Sequence, residues 1–308
     1  MALVLLDVLL GLMALGLLIF AWASLIERHW FAIRKETLAI LPPGSLPEGK
    51  NPLRILHISD IHLAPWQKRK IAWMLRLDNL KPDLVVNTGD NLSHRDSVEP
   101  LLWSLHPLLA TPGVFVNGSN DYFAPKPRNP LNYLRKPSNR TSNTALDTSS
   151  LVAGFEAGGW LNLNNRGGLL KIGELSLGFI GIDDAHDGLD DLRSLPASKQ
   201  TIGKPDLLIG VSHAPYLKVI DAMADQKVDL MLAGHTHGGQ VCLPFFGAII
   251  TNCDLPRKNA KGLSAWHIKG HTLLLNVSAG LGHSIYAPFR LACRPEVRVL
   301  ELVERPIG

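Results

Sequence analysis

The hydrophobic pattern of the chain divides it into two unequal parts. Apolar residues fill almost every position from Met1 to Ile26, and no charged residue lies between Val8 and Ile26. At about 1.5 Å per helical residue, that uninterrupted stretch spans roughly 28 Å, the thickness of a bilayer core. A helix packed against a protein core needs only one apolar stripe, so apolar residues on every face point to lipid. Trp22 and Trp30 fall where interfacial aromatics sit. A cleavable signal peptide is the alternative, since Ala21-Trp22-Ala23 resembles a cleavage site. However, the apolar run is long and no Lys or Arg precedes it. The expectation is an uncleaved anchor over residues 1–27.

Beyond the anchor the pattern changes. Residues 28–51 read as a linker, because Leu41–Pro52 (LPPGSLPEGKNP) is too rich in Pro and Gly for a long helix. Short apolar runs then alternate with helical spacing. Strands are expected at Leu53–Ser59, Asp83–Gly89 and Gly113–Gly118, with helices at Lys70–Leu80 and Ser97–Ala110 between them. Later strands are expected within 175–182, 206–213, 228–235, 272–279 and 296–303. This order predicts an α/β domain over residues 52–305, with much parallel pairing early and a more antiparallel sheet late. Tyr122–Asp147 breaks the pattern as a Pro-, Asn- and Arg-rich loop. Its basic residues include Arg128 and Arg135, placed to steer an anionic substrate or touch lipid headgroups, although a merely solvated loop is as good a reading.

Composition adds little. Charged residues are 19% because the anchor dilutes them, and the net charge of +4 permits anionic partners without demanding one. Basic residues are not interleaved with aromatics along one face, so nucleic-acid binding is not expected. The three cysteines, Cys242, Cys253 and Cys293, form no CxxC and no disulfide framework, which fits a reducing compartment, with a Cys242–Cys253 bridge left open. Arg28, Arg34 and Lys35 follow the anchor, and the positive-inside tendency then puts the C-terminal bulk in the cytoplasm.

Polar chemistry gathers at the ends of the expected strands: Asp60 and His62 in SDIHL, Asp90 in TGDN, Ser119, Asn120 and Asp121 in NGSND, His213 in VSHAP, and His235 and His237 in AGHTHGG. Each piece alone is weak, since a lone Asp after a strand is often a helix cap. Together they lie where α/β sheets bind ligands, beyond the carboxyl ends of strands. Four histidines, two aspartates and an amide exceed what one zinc takes. Two divalent ions about 3.5–4 Å apart would use them all, and mixed N and O donors without thiolate suit Mn, Fe or Zn. A single-zinc protein is a rival reading. A serine or cysteine hydrolase is not expected, because there is no GxSxG and no cysteine in a site motif.

This series of motifs, with its order and spacing, resembles the calcineurin-like metallophosphoesterases, and the C-terminal stretch from Ser278 to Leu302 resembles bacterial membrane-associated members. The resemblance implies a four-layer αββα sandwich with a dinuclear metal centre and a bridging hydroxide. It implies that Asp60, His62 and His237 hold one ion, Asp90 bridges, and His213 and His235 hold the second with an amide oxygen. The third motif departs from the family's Gly-Asn-His-Asp/Glu. Here, if there is no gap, Ser119 replaces the metal-binding amide and Asn120 replaces the catalytic histidine. With a one-residue slip, Asn120 is the ligand and Asp121 takes the catalytic histidine's place, and this is the reading adopted. His186 or His283 would be a substitute acid, though both read more simply as structural. The function implied is hydrolysis of a phosphodiester or activated phosphoester, lipid- or nucleotide-derived, near a membrane. The alternative is a catalytically weak metal-bound module that binds a phosphorylated ligand or protein partner.

Overall fold

A computed structural model of the chain describes residues 1–46, 52–127 and 144–306. In chain order its helices are α1 (Ala2–Ala21), α2 (Lys68–Met74), α3 (Val98–Leu109), α4 (Ser119–Tyr122), α5 (Thr148–Ala157), α6 (Ser194–Ile202) and α7 (Leu217–Asp225). Its strands are β1 (Ala32–Leu41), β2 (Leu53–Ile58), β3 (Leu84–Asn87), β4 (Gly113–Phe115), β5 (Leu161–Asn162), β6 (Gly167–Ile172), β7 (Leu175–Gly181), β8 (Leu207–Val211), β9 (Leu230–Ala233), β10 (Cys242–Leu243), β11 (Gly247–Ala248), β12 (Gly262–Ile268), β13 (His271–Val277) and β14 (Glu296–Glu304).

Two six-stranded sheets, β1-β14-β2-β3-β4-β5 and β12-β13-β9-β8-β7-β6, pack face to face. The alternation of side chains along each strand builds the layers. On β2, Leu53 and Ile55 face the opposite sheet, while Leu56 and Ile58 face α2, α3 and α5. On β9, Leu230 and Leu232 join the inter-sheet core, while Met231 and Ala233 meet α6 and α7. Strands buried on both faces read as continuous apolar runs, and the result is the αββα sandwich that the motif resemblance implies.

β2, β3 and β4 run parallel, as do β7, β8 and β9 with β13. Their carboxyl ends open on one edge of the sandwich. The linker expectation for 28–51 fails over its middle. Ala32–Leu41 forms β1, paired in parallel with β14 along nearly its whole length, with Leu38 and Leu41 buried between the sheets. Expected antiparallel pairing in the late sheet is confined to its edges, β6 on β7 and β12 on β13.

α1 continues through a wider π-helical turn (Trp22–Ile26) and a tighter 3-10 turn (Glu27–His29), the whole long and apolar enough to cross a membrane, and no side chain of α1 is buried in the protein. Its end is tied down. Ala23 O accepts from Arg290 N at 3.1 Å, and the Glu27 carboxylate accepts from Cys293 N at 2.7 Å. Trp22 and Trp30 meet edge to face with ring centroids 6.2 Å apart, and the Arg294 guanidinium stacks on Trp30.

Candidate metal centre

Each expected donor follows a central strand within a few residues, and the backbone there is bent to aim it. Asp60, His62, Asp90, His235 and His237 all have positive φ, between 44° and 68°. Non-glycine residues take this left-handed region at a cost of about 1–3 kcal/mol each, and such strain collects at functional sites. Two glycines permit the close approach. A side chain on Gly118 would collide with Asp90 and His213, and one on Gly234 with Ser59 and Asp60.

The side chains converge. One donor atom from each of Asp60, His62, Asp90 and His237 lies within 4.8 Å of the other three. His62 Nε2 and His237 Nε2 are 3.2 Å apart, with the rings stacked at 4.9 Å. Asp90 Oδ2 is 3.4 Å from His62 Nε2 on one side and 3.4 Å from His213 Nε2 on the other. Asp90 therefore stands between two groups of donors.

The far nitrogens explain which atoms face inward. His62 Nδ1 meets Ser93 Oγ at 3.4 Å, His213 Nδ1 meets Thr88 O at 2.7 Å, and His237 Nδ1 meets Gly282 O at 3.3 Å. A ring whose Nδ1–H is committed to an oxygen presents Nε2 as a lone-pair donor. His213 Nε2 is buried without a hydrogen-bond partner, an orphaned atom of the kind a cation satisfies. Neutral imidazoles, ionised carboxylates and an orphaned nitrogen around one centre fit divalent cations.

Protonation fits as well. Burial lowers His62 and His237 to about 4 and takes His235 well below its ordinary value. Asp90 stays well below the usual carboxylate range, because His213, His62 and the Asn120 N–H outweigh the effect of burial. His213 is buried too, yet Asp90 raises it well above its ordinary value, so a cation bound there displaces a proton.

The profile of the calcineurin-like phosphoesterases matches residues 53–239. The chain belongs to that family. It is 26% identical over 296 residues to the Bacillus subtilis metallophosphoesterase YkuE, covering 92% of this chain and 89% of that one. It is 27% identical over 290 residues to Escherichia coli phosphodiesterase YaeI, covering 92% and 93%. It is also similar, at 27% over 278 residues, to a Danio rerio transmembrane protein with a metallophosphoesterase domain, covering 83% of this chain and 54% of that protein. This metallophosphoesterase is thus a hydrolase carrying a candidate metal-binding cluster and an N-terminal candidate membrane span.

Three expected site residues behave differently from the ligand group. His235 is buried, but its Nε2 is 3.2 Å from Asn252 O, so its inward nitrogen is Nδ1, unlike the other histidines. Asn120 N and Nδ2 each donate to Asp90 at 2.8 Å, which places the amide against the central carboxylate. Asp121, expected in the catalytic histidine's place, is fully buried. It accepts from Asp90 N, Asn91 N, Gly118 N and Asn91 Nδ2, at 2.7 to 3.2 Å. Three of these donors are on Oδ2 and one is on Oδ1, and burial and Asp90 push its carboxyl up to about 7. It ties the Asp90 loop to the Gly118 turn. Arg128 and Arg135 lie outside the described residues.

The two substitute histidines separate. His186 Nδ1 is 2.9 Å from Tyr216 Oη, and its ring centroid is 4.5 Å from that of His235. His283 is buried with Nδ1 on Ser284 O. Sequence reasoning missed Arg290 and Lys70. Arg290 is buried and donates to the carbonyls of Ala279, Gly280 and Gly282, so it shapes the loop behind His237. Lys70 is buried with Nζ 2.6 Å from Ile61 O, between Asp60 and His62. Arginine and lysine buried among carbonyls leave no periodicity that would mark them. The cysteine alternative also changes. All three thiols are free, and Cys242 and Cys293 both reach Gly238 O while Cys253 lies elsewhere.

Proposed function

We propose that this chain hydrolyses a phosphodiester or activated phosphoester with two divalent ions, Mn, Fe or Zn, held on either side of Asp90. The supporting observation is the position of Asp90 Oδ2, at 3.4 Å from His62 Nε2 on one side and from the orphaned His213 Nε2 on the other. Asp60, His62 and His237 form one half of the site. His213, His235 and Asn120 form the other. Bound cations supply Lewis-acid stabilisation of phosphoryl oxygens and an acidified water.

The chain's own groups supply placement. Ser59 Oγ and the His235 N–H fix the Asp60 carboxylate. The Thr88 and Gly282 carbonyls accept from the Nδ1–H of His213 and His237, and Ser93 Oγ orients the His62 ring. Asp121 and Asn120 hold the Asp90 loop. Asp121 is committed to four donors that hold this loop and the third motif carries no histidine, which favours substrates whose leaving group departs unaided. A phosphodiester with an acidic alcohol has that property, and YaeI bears the name phosphodiesterase. The span at residues 1–27 puts the centre near a bilayer, where a lipid-derived phosphoester or a nucleotide is available. Arg28, Arg34 and Lys35 after the span favour a cytoplasmic domain, which a C-terminal reporter fusion tests.

The test uses the full chain in detergent, with bis-(p-nitrophenyl) phosphate and Mn²⁺. Two ions per chain and turnover lost in both His213→Ala and His62→Ala are expected. One ion per chain, with activity intact in His213→Ala, sinks the dinuclear reading. Metal binding without turnover favours the binding module.

A further inference from the structure

Beyond the N-terminal apolar segment, the two most exposed large apolar side chains among the described residues are neighbours: Phe245, fully exposed, and Phe246, 85% exposed. They form the tip of the hairpin made by β10 and β11, where Cys242 pairs with Ala248 and Leu243 with Gly247. Leu243, half exposed, and Pro244 complete an apolar tip with no charge between Val241 and Ile250. Two solvent-facing phenylalanines on a hairpin are not packing leftovers. Such a patch marks a contact with something apolar.

The root of the hairpin identifies the contact. Cys242 N donates to Leu291 O at 2.8 Å, and Leu291 N donates to Gln240 O at 3.1 Å. The next residue back, Arg290, donates from its backbone to Ala23 O at the end of the apolar helix. Phe289 meets Phe20 of α1 with ring centroids 6.2 Å apart, and Gln240 Nε2 donates to Phe289 O. The hairpin therefore springs from the place where the membrane helix enters the domain. Cys242–Leu243 is strand and the turn closed by Phe246 N on Leu243 O follows, so Phe245 stands at most about 10 Å from this root, within the depth that interfacial apolar groups reach. Arg257 flanks the stem, with Nη1 3.5 Å from Ile249 O, and Lys258 follows it, placing cations at headgroup level.

We infer that the Phe245–Phe246 hairpin inserts into the bilayer that α1 spans, as a second attachment beside the anchor. A single helix leaves the domain free to swivel, and a second contact fixes which face meets the lipid. That face carries the candidate centre, since His237 and Gln240 lead directly into β10 and Asn252, just past β11, holds His235 Nε2. This inference does not depend on the hydrolase reading. It rests on α1 spanning a bilayer.

The experiment reconstitutes the full chain into phosphatidylcholine–phosphatidylglycerol vesicles, in a Cys253→Ser background that leaves only buried thiols. A polarity-sensitive dye is attached at Phe245→Cys, at Leu12→Cys or at Lys269→Cys. Lys269 is exposed in the β12–β13 turn, at the end of the sheet away from the site. Blue-shifted emission and quenching by nitroxide lipids are expected at 245 and 12, with iodide quenching alone at 269. A dye at 245 open to iodide while that at 12 lies in lipid overturns the proposal and leaves the span standing. A dye at 245 shielded from both quenchers indicates a protein partner and overturns it too. If position 12 is not in lipid, the span fails and this inference with it.

Discussion

Asp121 shows how much structural work a residue in a motif position can carry. From spacing alone it sits where the family's third motif carries its acid. Only the positions of three backbone N–H groups reveal that it is a staple between two loops. Removing one charged acceptor leaves a buried donor unsatisfied, at about 1–3 kcal/mol. Asp121→Asn should therefore lower the unfolding free energy from urea titration by about 1–3 kcal/mol and leave the pH–rate profile in place. A shifted alkaline limb at unchanged stability would restore its catalytic role. Arg290 is the converse case, a residue with no motif around it that shapes the His237 loop through three carbonyls. Groups behind metal ligands typically control affinity by about 10–100-fold, so Arg290→Lys should weaken metal binding on that scale in a competition with a chelating dye. Unchanged affinity would reduce Arg290 to a packing residue. The residues of the candidate cluster were legible, because Asp and His at the ends of apolar runs stand out against their surroundings. The orientation of His235 was not legible, because Asn252 comes from a loop with no pattern of its own.

At the scale of elements, the sequence read best where strands are buried on both faces. Continuous apolar runs located β2, β3, β7, β8, β9, β13 and β14 to within a few residues. β1 escaped because Ala32–Leu41 carries Arg34, Lys35 and Glu36 in succession and runs into the Pro- and Gly-rich stretch after it. Its partner is β14, at the other end of the chain, and no local signal reports such pairing. Arg298 lies across this seam, paired with both Glu36 and Glu296. A soluble domain cut at residue 52 would lose Leu38 and Leu41 from the core and bare the edge of β14, and unpaired edges invite association. Protein beginning at residue 52 should elute as aggregate on size exclusion, while protein beginning at residue 27 should be monodisperse. Equal behaviour of the two would make β1 dispensable.

For the whole molecule, the centre is a seam as much as a reactive site. Asp60 and Asp90 come from the first sheet, and His213, His235 and His237 from the second. Buried carboxylates and closely set imidazoles repel or stay undersolvated without a cation between them, so on the proposed reading a bound ion would bridge the two halves of the sandwich. A ligand at a thousandfold excess over its dissociation constant stabilises the folded state by about 4 kcal/mol, which for a domain of this size corresponds to roughly 10 °C. Stripping the chain with EDTA should lower its melting temperature by that amount, and Mn²⁺ or Zn²⁺ should restore it while Ca²⁺, which prefers all-oxygen sites, restores little. The readout is independent of any substrate. A melting temperature indifferent to EDTA, in protein that analysis shows to be metal-loaded beforehand, would mean that the two sheets cohere through their apolar interior alone and that the ions serve chemistry without serving the fold.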